Sequence, residues 1–259
     1  MTTCKSTQHT DLKTIVIKLG GSMLEGLTTT FFENFKKMQQ SGIDIIIVHG
    51  GGPAINQALA NANVETITKN GVRVTSSEAI EIVQSTLIGK VNPELTHQLN
   101  GASIKAIGLS GYDGSLFNCS FLDKKEYGYV GNIEAVNTAL LKTLLSEKII
   151  PVVSCFGVSS DGIPLNINGD TVASKVALAM NADSLLLVTD APGVKINDEV
   201  QNSVNPEQIK EWIYSGDIYD GMIPKVQAAI DCLNAGIPTV QIVGSQLVGT
   251  TVQKKGVIA

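Results

Sequence analysis

Two short apolar runs within the first fifty residues each end in adjacent glycines, and this arrangement restricts the chain more than any other feature. The first is Ile15-Val16-Ile17-Lys18-Leu19-Gly20-Gly21-Ser22 and the second Ile45-Ile46-Ile47-Val48-His49-Gly50-Gly51-Gly52-Pro53. An apolar run of that length reads as a strand buried in a parallel sheet. Adjacent glycines let the backbone pass very close to an anion. Pro53 suits the first position of a helix, whose unpaired N–H groups would point into the same space. With Lys18 beside the first turn, the pair predicts an anion site built from backbone amides.

The rest of the chain repeats the alternation. Strand-like runs fall at 14–19, 43–48, 104–109, 149–154, 184–189 and 238–243. Segments of helical length and period lie between them, at about 28–40, 53–62, 76–100 (broken near Pro93), 138–147, 169–181, 206–215 and 222–235. Gly42, Gly101 and Gly236 stand where helices should end, each shortly before a strand. The pattern predicts an α/β protein with a mainly parallel sheet and helices on both faces. Thr66 to Val74 and Leu116 to Val130 break it and read as inserted hairpins. Hairpins of this kind are surface decoration more often than covers over a site.

With 259 residues, 43 % of them apolar and 17 % charged, the chain can bury a substantial core as one large α/β domain or two modest ones, and a two-lobed single unit is the working picture. Its net charge of -5 argues against a broad nucleic-acid surface, so phosphate binding should be local. Cys4, Cys119, Cys155 and Cys232 show neither CxxC nor metal spacing and read as reduced thiols of a cytoplasmic protein. Met1 to Asp11 is polar without a secretory core, which makes the Asn118-Cys119-Ser120 sequon a chance match. No segment has the apolar length of a membrane helix.

Several chemistries drop out. There is no G-x-x-x-x-G-K-[ST], no G-x-G-x-x-G after the first strand, no protein-kinase motif set and no G-x-S-x-G. Only His9, His49 and His97 are present, so catalysis through histidine has little support. His49 reads as a structural hydrogen-bonding residue. Three loops at strand–helix junctions remain: Asn166-Ile167-Asn168-Gly169-Asp170, Thr189-Asp190-Ala191-Pro192-Gly193 and Asp220-Gly221-Met222-Ile223-Pro224-Lys225. Glycines, lysines, an arginine and aspartates suit phosphoryl transfer, which needs alignment and charge stabilisation more than covalent participation.

Taken with Lys18-Leu19-Gly20-Gly21, His49-Gly50-Gly51-Gly52-Pro53 and Asn70-Gly71-Val72-Arg73-Val74, these loops resemble the motifs of the N-acetyl-L-glutamate kinase family, in order and up to Gly249-Thr250. The lysine–glycine turns and the aspartate loop are common to the wider amino-acid kinase superfamily. The Arg73 hairpin and the Asn166–Asp170 loop are far more specific. The resemblance implies a three-layer α-β-α sandwich and ATP-dependent phosphorylation of the γ-carboxylate of N-acetyl-L-glutamate, a step of arginine biosynthesis. It implies an N-lobe over about 14–165 for the acyl substrate and dimerisation, and a C-lobe over about 166–259 for the nucleotide.

It also implies residue roles. Lys18 and Lys225 would stabilise the transition state from two sides, with Asp170 holding both. Gly51 and Gly52 would bind substrate through their amides, Arg73 would pair with the α-carboxylate and Asn166 would hydrogen-bond the same ligand. Gly20 and Gly21 would lie along the ATP phosphates, and Asp190 to Gly193 would border the nucleotide. Mg²⁺ would be held mainly by ATP oxygens, with no dedicated protein metal site. Gly169 departs from the pattern, since relatives often carry alanine there; the expected result is a looser loop with function kept. Taken alone, Asp170 would cap a helix, and Lys225 would be a surface lysine in a first turn where the helix dipole disfavours it.

The acceptor would be a carboxylate, ionised at neutral pH with an ordinary pKa of about 4.3, so no general base is required. Glutamate 5-kinase, aspartokinase and carbamate kinase types share the fold but are disfavoured by the Arg73 motif. A non-catalytic sensor need not keep Lys18, Asp170 and Lys225. The segment Ala79-Ile80-x-Ile82-Val83 could supply a two-fold interface. Arginine-inhibited hexameric relatives carry an extra N-terminal helix, so the short polar stretch here implies a homodimer insensitive to arginine.

Overall fold

The computed structural model describes residues 13–254, so Cys4, His9 and the polar opening stretch lie outside the described residues. Among the described residues, eight strands form the main sheet. Their spatial order is Ser203–Val204, Gly249–Val252, Thr239–Val243, Ser184–Val188, Thr14–Leu19, Asp44–His49, Ile150–Ser154 and Ala106–Leu109. All neighbours run parallel except Gly249–Val252 against Thr239–Val243. The two opening runs are direct neighbours, with Lys18 opposite Val48 and Leu19 opposite His49. Both glycine turns therefore leave the same end of the sheet side by side.

Side chains along a strand point alternately to opposite faces, and here both faces are covered. Val16, Ile46, Val153, Leu185 and Ile242 join a core with Val172 and Val176 of the helix Gly169–Ala179 and with Val226 and Ile230 of Met222–Asn234. Ile17, Ile45, Ile47, Val152 and Leu186 pack instead with Phe31 and Phe35 of Thr29–Gln40 and with Leu95 and Leu99 of Asn92–Gly101. The result is the expected three-layer α-β-α sandwich. Local chemistry sets the helix starts. Thr28 accepts from Phe31 N, and Asn205 with Gln208 forms a reciprocal capping box at Pro206–Ser215.

The break expected near Pro93 is present as Leu87–Val91, a turn of π-helix between Ser77–Thr86 and Asn92–Gly101, because Pro93 has no N–H to continue the ladder. Three expectations need correction. Gly101 lies inside its helix, and Ser103 takes the left-handed position (φ 62°) that the sequence reading gave to that glycine. Leu116 to Val130 is not a simple hairpin. Phe117–Phe121 pairs with Gly131–Val136 in a second sheet, ordered Pro164–Asn166, Phe156–Ser159, Phe117–Phe121 and Gly131–Val136. The helix Lys124–Tyr127 lies in the connection. Lastly, Ala79, Ile80 and Val83 are buried against Ile55, Leu59 and Phe156 of their own chain, so these three side chains face their own core, and Ile82 is only partly buried. The hairpin at 66–74 is present as Ile67–Lys69 paired with Val72–Val74.

Candidate active site

The two glycine turns touch. A Cβ on Gly21 would lie 2.7 Å from Pro53 Cδ and 2.8 Å from Gly52 N, so a side chain there would force the turns apart. Gly51 is equally closed in, since a Cβ would sit 2.7 Å from Leu87 Cδ2. Gly52 opens the helix Gly52–Asn61 and Pro53 follows it, which leaves the first-turn amides of this helix available to a ligand. A buried network fixes the second turn from behind. His49 Nδ1 bonds Gly50 O at 2.8 Å and Nε2 meets Asn92 Nδ2 at 2.9 Å, while Asn92 also donates to Val152 O. With donor and acceptor roles both used, the imidazole is neutral; burial pushes its pKa down to about 4. His49 is a structural residue.

A cavity of about 170 Å³ opens on these amides, walled by Gly50, Gly51 and Gly52 and by Arg73, Asn166 and Gly169. Arg73 is half-buried. Its guanidinium donates to Asn56 Oδ1 and more weakly to Thr66 Oγ1 at 3.5 Å, and has no carboxylate partner among the described residues. Half-burial pulls its pKa below the ordinary arginine value, an effect that an anion in the cavity would oppose. Asn166 is buried and donates from Nδ2 to Thr75 Oγ1 at 3.1 Å.

Lys18 stands behind the same cavity. Its Nζ lies 3.0 Å from Asp170 Oδ1, and its Cε would be 3.5 Å from a Cβ on Gly169. Asp170 occupies the first turn of Gly169–Ala179, but Asn168 caps that helix by accepting from Asp170 N and Thr171 N. Asp170 is therefore free of capping duty. It does not hold both lysines: Lys225, in the first turn of Met222–Asn234, is paired with Asp190. Lys225 holds the Asp190 carboxyl below its ordinary pKa.

Lys225 also lines a second cavity of about 370 Å³, with Gly193, Lys195, Asp217, Tyr219 and Asp220. Gly193 adopts φ 148°, where a Cβ would meet Thr250 Oγ1 at 2.7 Å, and Thr250 Oγ1 accepts from Val194 N. Gly21 lies elsewhere, with Gly51 and Leu24 on a third cavity, and Gly20 adjoins it as the residue preceding the 3₁₀ turn Gly21–Gly26.

Known proteins place the chain in a family. The Amino acid kinase family model matches residues 13–244. The acetylglutamate kinase of Halalkalibacterium halodurans is 40 % identical over 250 residues, 93 % of this chain and 96 % of its own. That of Staphylococcus saprophyticus is 44 % identical over 229 residues, 88 % and 89 % of the two chains. The chain belongs to the acetylglutamate kinase family. A crystal structure of a Streptococcus mutans UA159 protein superposes with a TM-score of 0.83 at 35 % identity, covering 93 % of this chain and 98 % of that one. The N-acetylglutamate synthase of Neisseria gonorrhoeae, complexed with coenzyme A and N-acetyl-glutamate, shares the fold at 20 % identity and a TM-score of 0.79. It covers 95 % of this chain and 61 % of that one.

Within this acetylglutamate kinase fold, Gly51, Gly52, Arg73 and Asn166 line one cavity, and Lys18 adjoins it. Gly193 and Lys225 line the other, with Asp190 at Lys225. Sequence reasoning missed Lys195, Asp217 and Tyr219. For Asp217 and Tyr219 the signal was present in the loop Gly216 to Tyr219 between two helices, but only the fold brings that loop to the Pro192-Gly193 turn and Lys195.

Proposed function

We propose that the chain transfers the γ-phosphoryl group of ATP to the γ-carboxylate of N-acetyl-L-glutamate, giving N-acetyl-L-glutamyl 5-phosphate for arginine biosynthesis. One observation carries the reading: the half-buried guanidinium of Arg73, without a carboxylate partner among the described residues, faces a cavity built from glycine backbone. A planar guanidinium matches the α-carboxylate in two-point geometry. Asn166 supplies an amide beside it, and the Gly51 and Gly52 N–H groups meet the acceptor from the opposite turn.

The acceptor needs no base, because its carboxylate is ionised at neutral pH. The neutral, doubly engaged His49 could not serve as one. The obstacle is repulsion between an anionic nucleophile and a polyphosphate. Lys18 offsets it from the acceptor side and Lys225 from the nucleotide side, and pre-placed cations of this kind act on charge as it moves. Asp170 orients Lys18, and Asp190 orients Lys225. ATP would occupy the cavity of Gly193 and Lys225, with Gly20 and Gly21 toward its terminal phosphates. Mg²⁺ would arrive on the nucleotide and neutralise phosphate oxygens. Asp217 and Asp220 line that cavity, but no cluster of three or more metal-ligating side chains occurs among the described residues, so the phosphate oxygens would remain the main ligands of Mg²⁺.

The proposed division of labour follows: residues 14–165 supply most of the acceptor cavity, 166–259 the nucleotide cavity, and the Asn166–Asp170 loop is the seam. A cytoplasmic location accords with the free, buried Cys119, Cys155 and Cys232. We also propose a homodimer, with its interface at Ala106–Leu109, the edge strand of the sheet, where Ile107 is exposed.

Hydroxamate trapping of the acyl phosphate tests the substrate, with N-acetyl-L-glutamate, glutamate, aspartate and carbamate offered in parallel. N-acetyl-L-glutamate should give the dominant signal. Preference for free glutamate would overturn the reading.

A further inference from the structure

Thr75 has no part in the chemistry above, yet it sits where the acceptor cavity is tied together. It is fully buried at the end of the 66–74 hairpin. Its Oγ1 donates to Arg73 O at 3.2 Å and accepts from Asn166 Nδ2 at 3.1 Å, which uses the one hydroxyl proton and one lone pair. Its backbone is held as firmly: Thr75 N donates to Tyr127 O at 2.9 Å, and Thr75 O accepts from Tyr129 N at 2.8 Å. Tyr129 O in turn accepts from Asn166 N at 3.0 Å. Gly128, between the two tyrosines, has φ +71°, and a Cβ on it would lie 2.2 Å from Thr75 O. Only glycine lets that strap close over Thr75. At the far end of the hairpin, Asn70 Nδ2 reaches Tyr127 Oη at 3.3 Å.

We propose that Thr75 is a positioning residue for the acceptor: its hydroxyl couples Asn166 to the hairpin that carries Arg73, so that amide and guanidinium meet the substrate as one unit. The two groups come from segments more than ninety residues apart in sequence, and the hydroxyl is the side-chain link between them. Valine has nearly the same shape but neither donates nor accepts, so Thr75→Val would leave a buried Asn166 N–H without its partner. The inference rests on the reading of Arg73 and Asn166 as acceptor ligands.

The test is steady-state kinetics of the full-length enzyme for Thr75→Val, Thr75→Ser, Asn166→Ala and the Thr75→Val/Asn166→Ala pair, with Arg73→Ala as reference and melting temperatures for all. Thr75→Ala replaces the valine variant if that one does not fold. Thr75→Val should raise KM for N-acetyl-L-glutamate about tenfold while KM for ATP stays within about twofold, and Thr75→Ser should restore the normal value. The double variant should be little worse than Asn166→Ala alone, the signature of one coupled unit. Unchanged acceptor KM in Thr75→Val, equal losses for both substrates, or fully additive effects would overturn the coupling while Arg73→Ala still raised acceptor KM. If Arg73→Ala and Asn166→Ala also left acceptor KM unchanged, the acceptor-site reading itself would fall, and the coupling with it.

Discussion

At the level of single residues, charge and burial decide the roles. Lys18 is mostly shielded and paired at 3.0 Å, which keeps a cation at the acceptor cavity before substrate arrives. Lys18→Ala should lower kcat by about a hundredfold or more with a smaller change in either KM, as expected for a group that acts on the transition state. Rapid-quench measurement of acyl phosphate would show this. His49 makes a different prediction. Its folded pKa is about 4 against about 6.5 unfolded, so the unfolded chain takes up its proton first as pH falls. Above about 6.5 both states are neutral and the burial is harmless. Between 6.5 and 4 stability should drop by on the order of 3 kcal/mol, with no further loss from this group below 4. Urea unfolding at pH 7.5 and pH 5 should show the drop in the parent and a weaker one in His49→Gln. His49 and Lys18 were legible as residue types in their motifs. The partner of Lys225 was not, because Asp170 and Asp190 are both aspartates at strand–helix junctions and only geometry separates them.

At the level of elements, six of the eight strands of the main sheet were legible to within a residue or two, since runs such as Ile45–Val48 are buried on both faces and carry an uninterrupted apolar signal, whereas the short Ser203–Val204 and the polar Gly249–Val252 carry none. The second sheet was not. Its strands Phe117–Phe121, Phe156–Ser159 and Pro164–Asn166 are three to five residues long and mix glycine, serine and asparagine with aromatic residues, so no period stands out. That sheet nonetheless sets the acceptor cavity, because it ends at Asn166. Gly169 gives the element-scale prediction. It is the first residue of its helix, with no left-handed φ, and a Cβ would meet Cys155 Sγ at 3.4 Å and Lys18 Cε at 3.5 Å, both ordinary contacts. Gly169→Ala should therefore be tolerated, with a stability gain of about 0.4–1 kcal/mol from a less flexible unfolded chain and activity kept. Chemical denaturation beside a standard assay would reveal a loss on either count. Gly193→Ala should do the opposite, raising KM for ATP severalfold, since its φ and the 2.7 Å approach to Thr250 exclude a side chain.

Over the whole molecule, both cavities lie at one end of the strands, the position where open α/β sheets bind ligands, and the proposed reading puts one reactant in each. The glycine turn of the second strand lines one cavity, whereas the cavity of Lys225 and Gly193 is assembled from the other half of the chain. The proposed dimer extends the free edge of the same sheet. Ile107→Lys should shift sedimentation toward the monomer, and an unchanged dimer would place the interface elsewhere. The central claim is the separation of the site into an acceptor half and a nucleotide half, and calorimetric titration of Arg73→Ala with each substrate tests it most directly. N-acetyl-L-glutamate should bind at least about tenfold more weakly while ATP binds as in the parent; equal losses for both ligands would contradict the account.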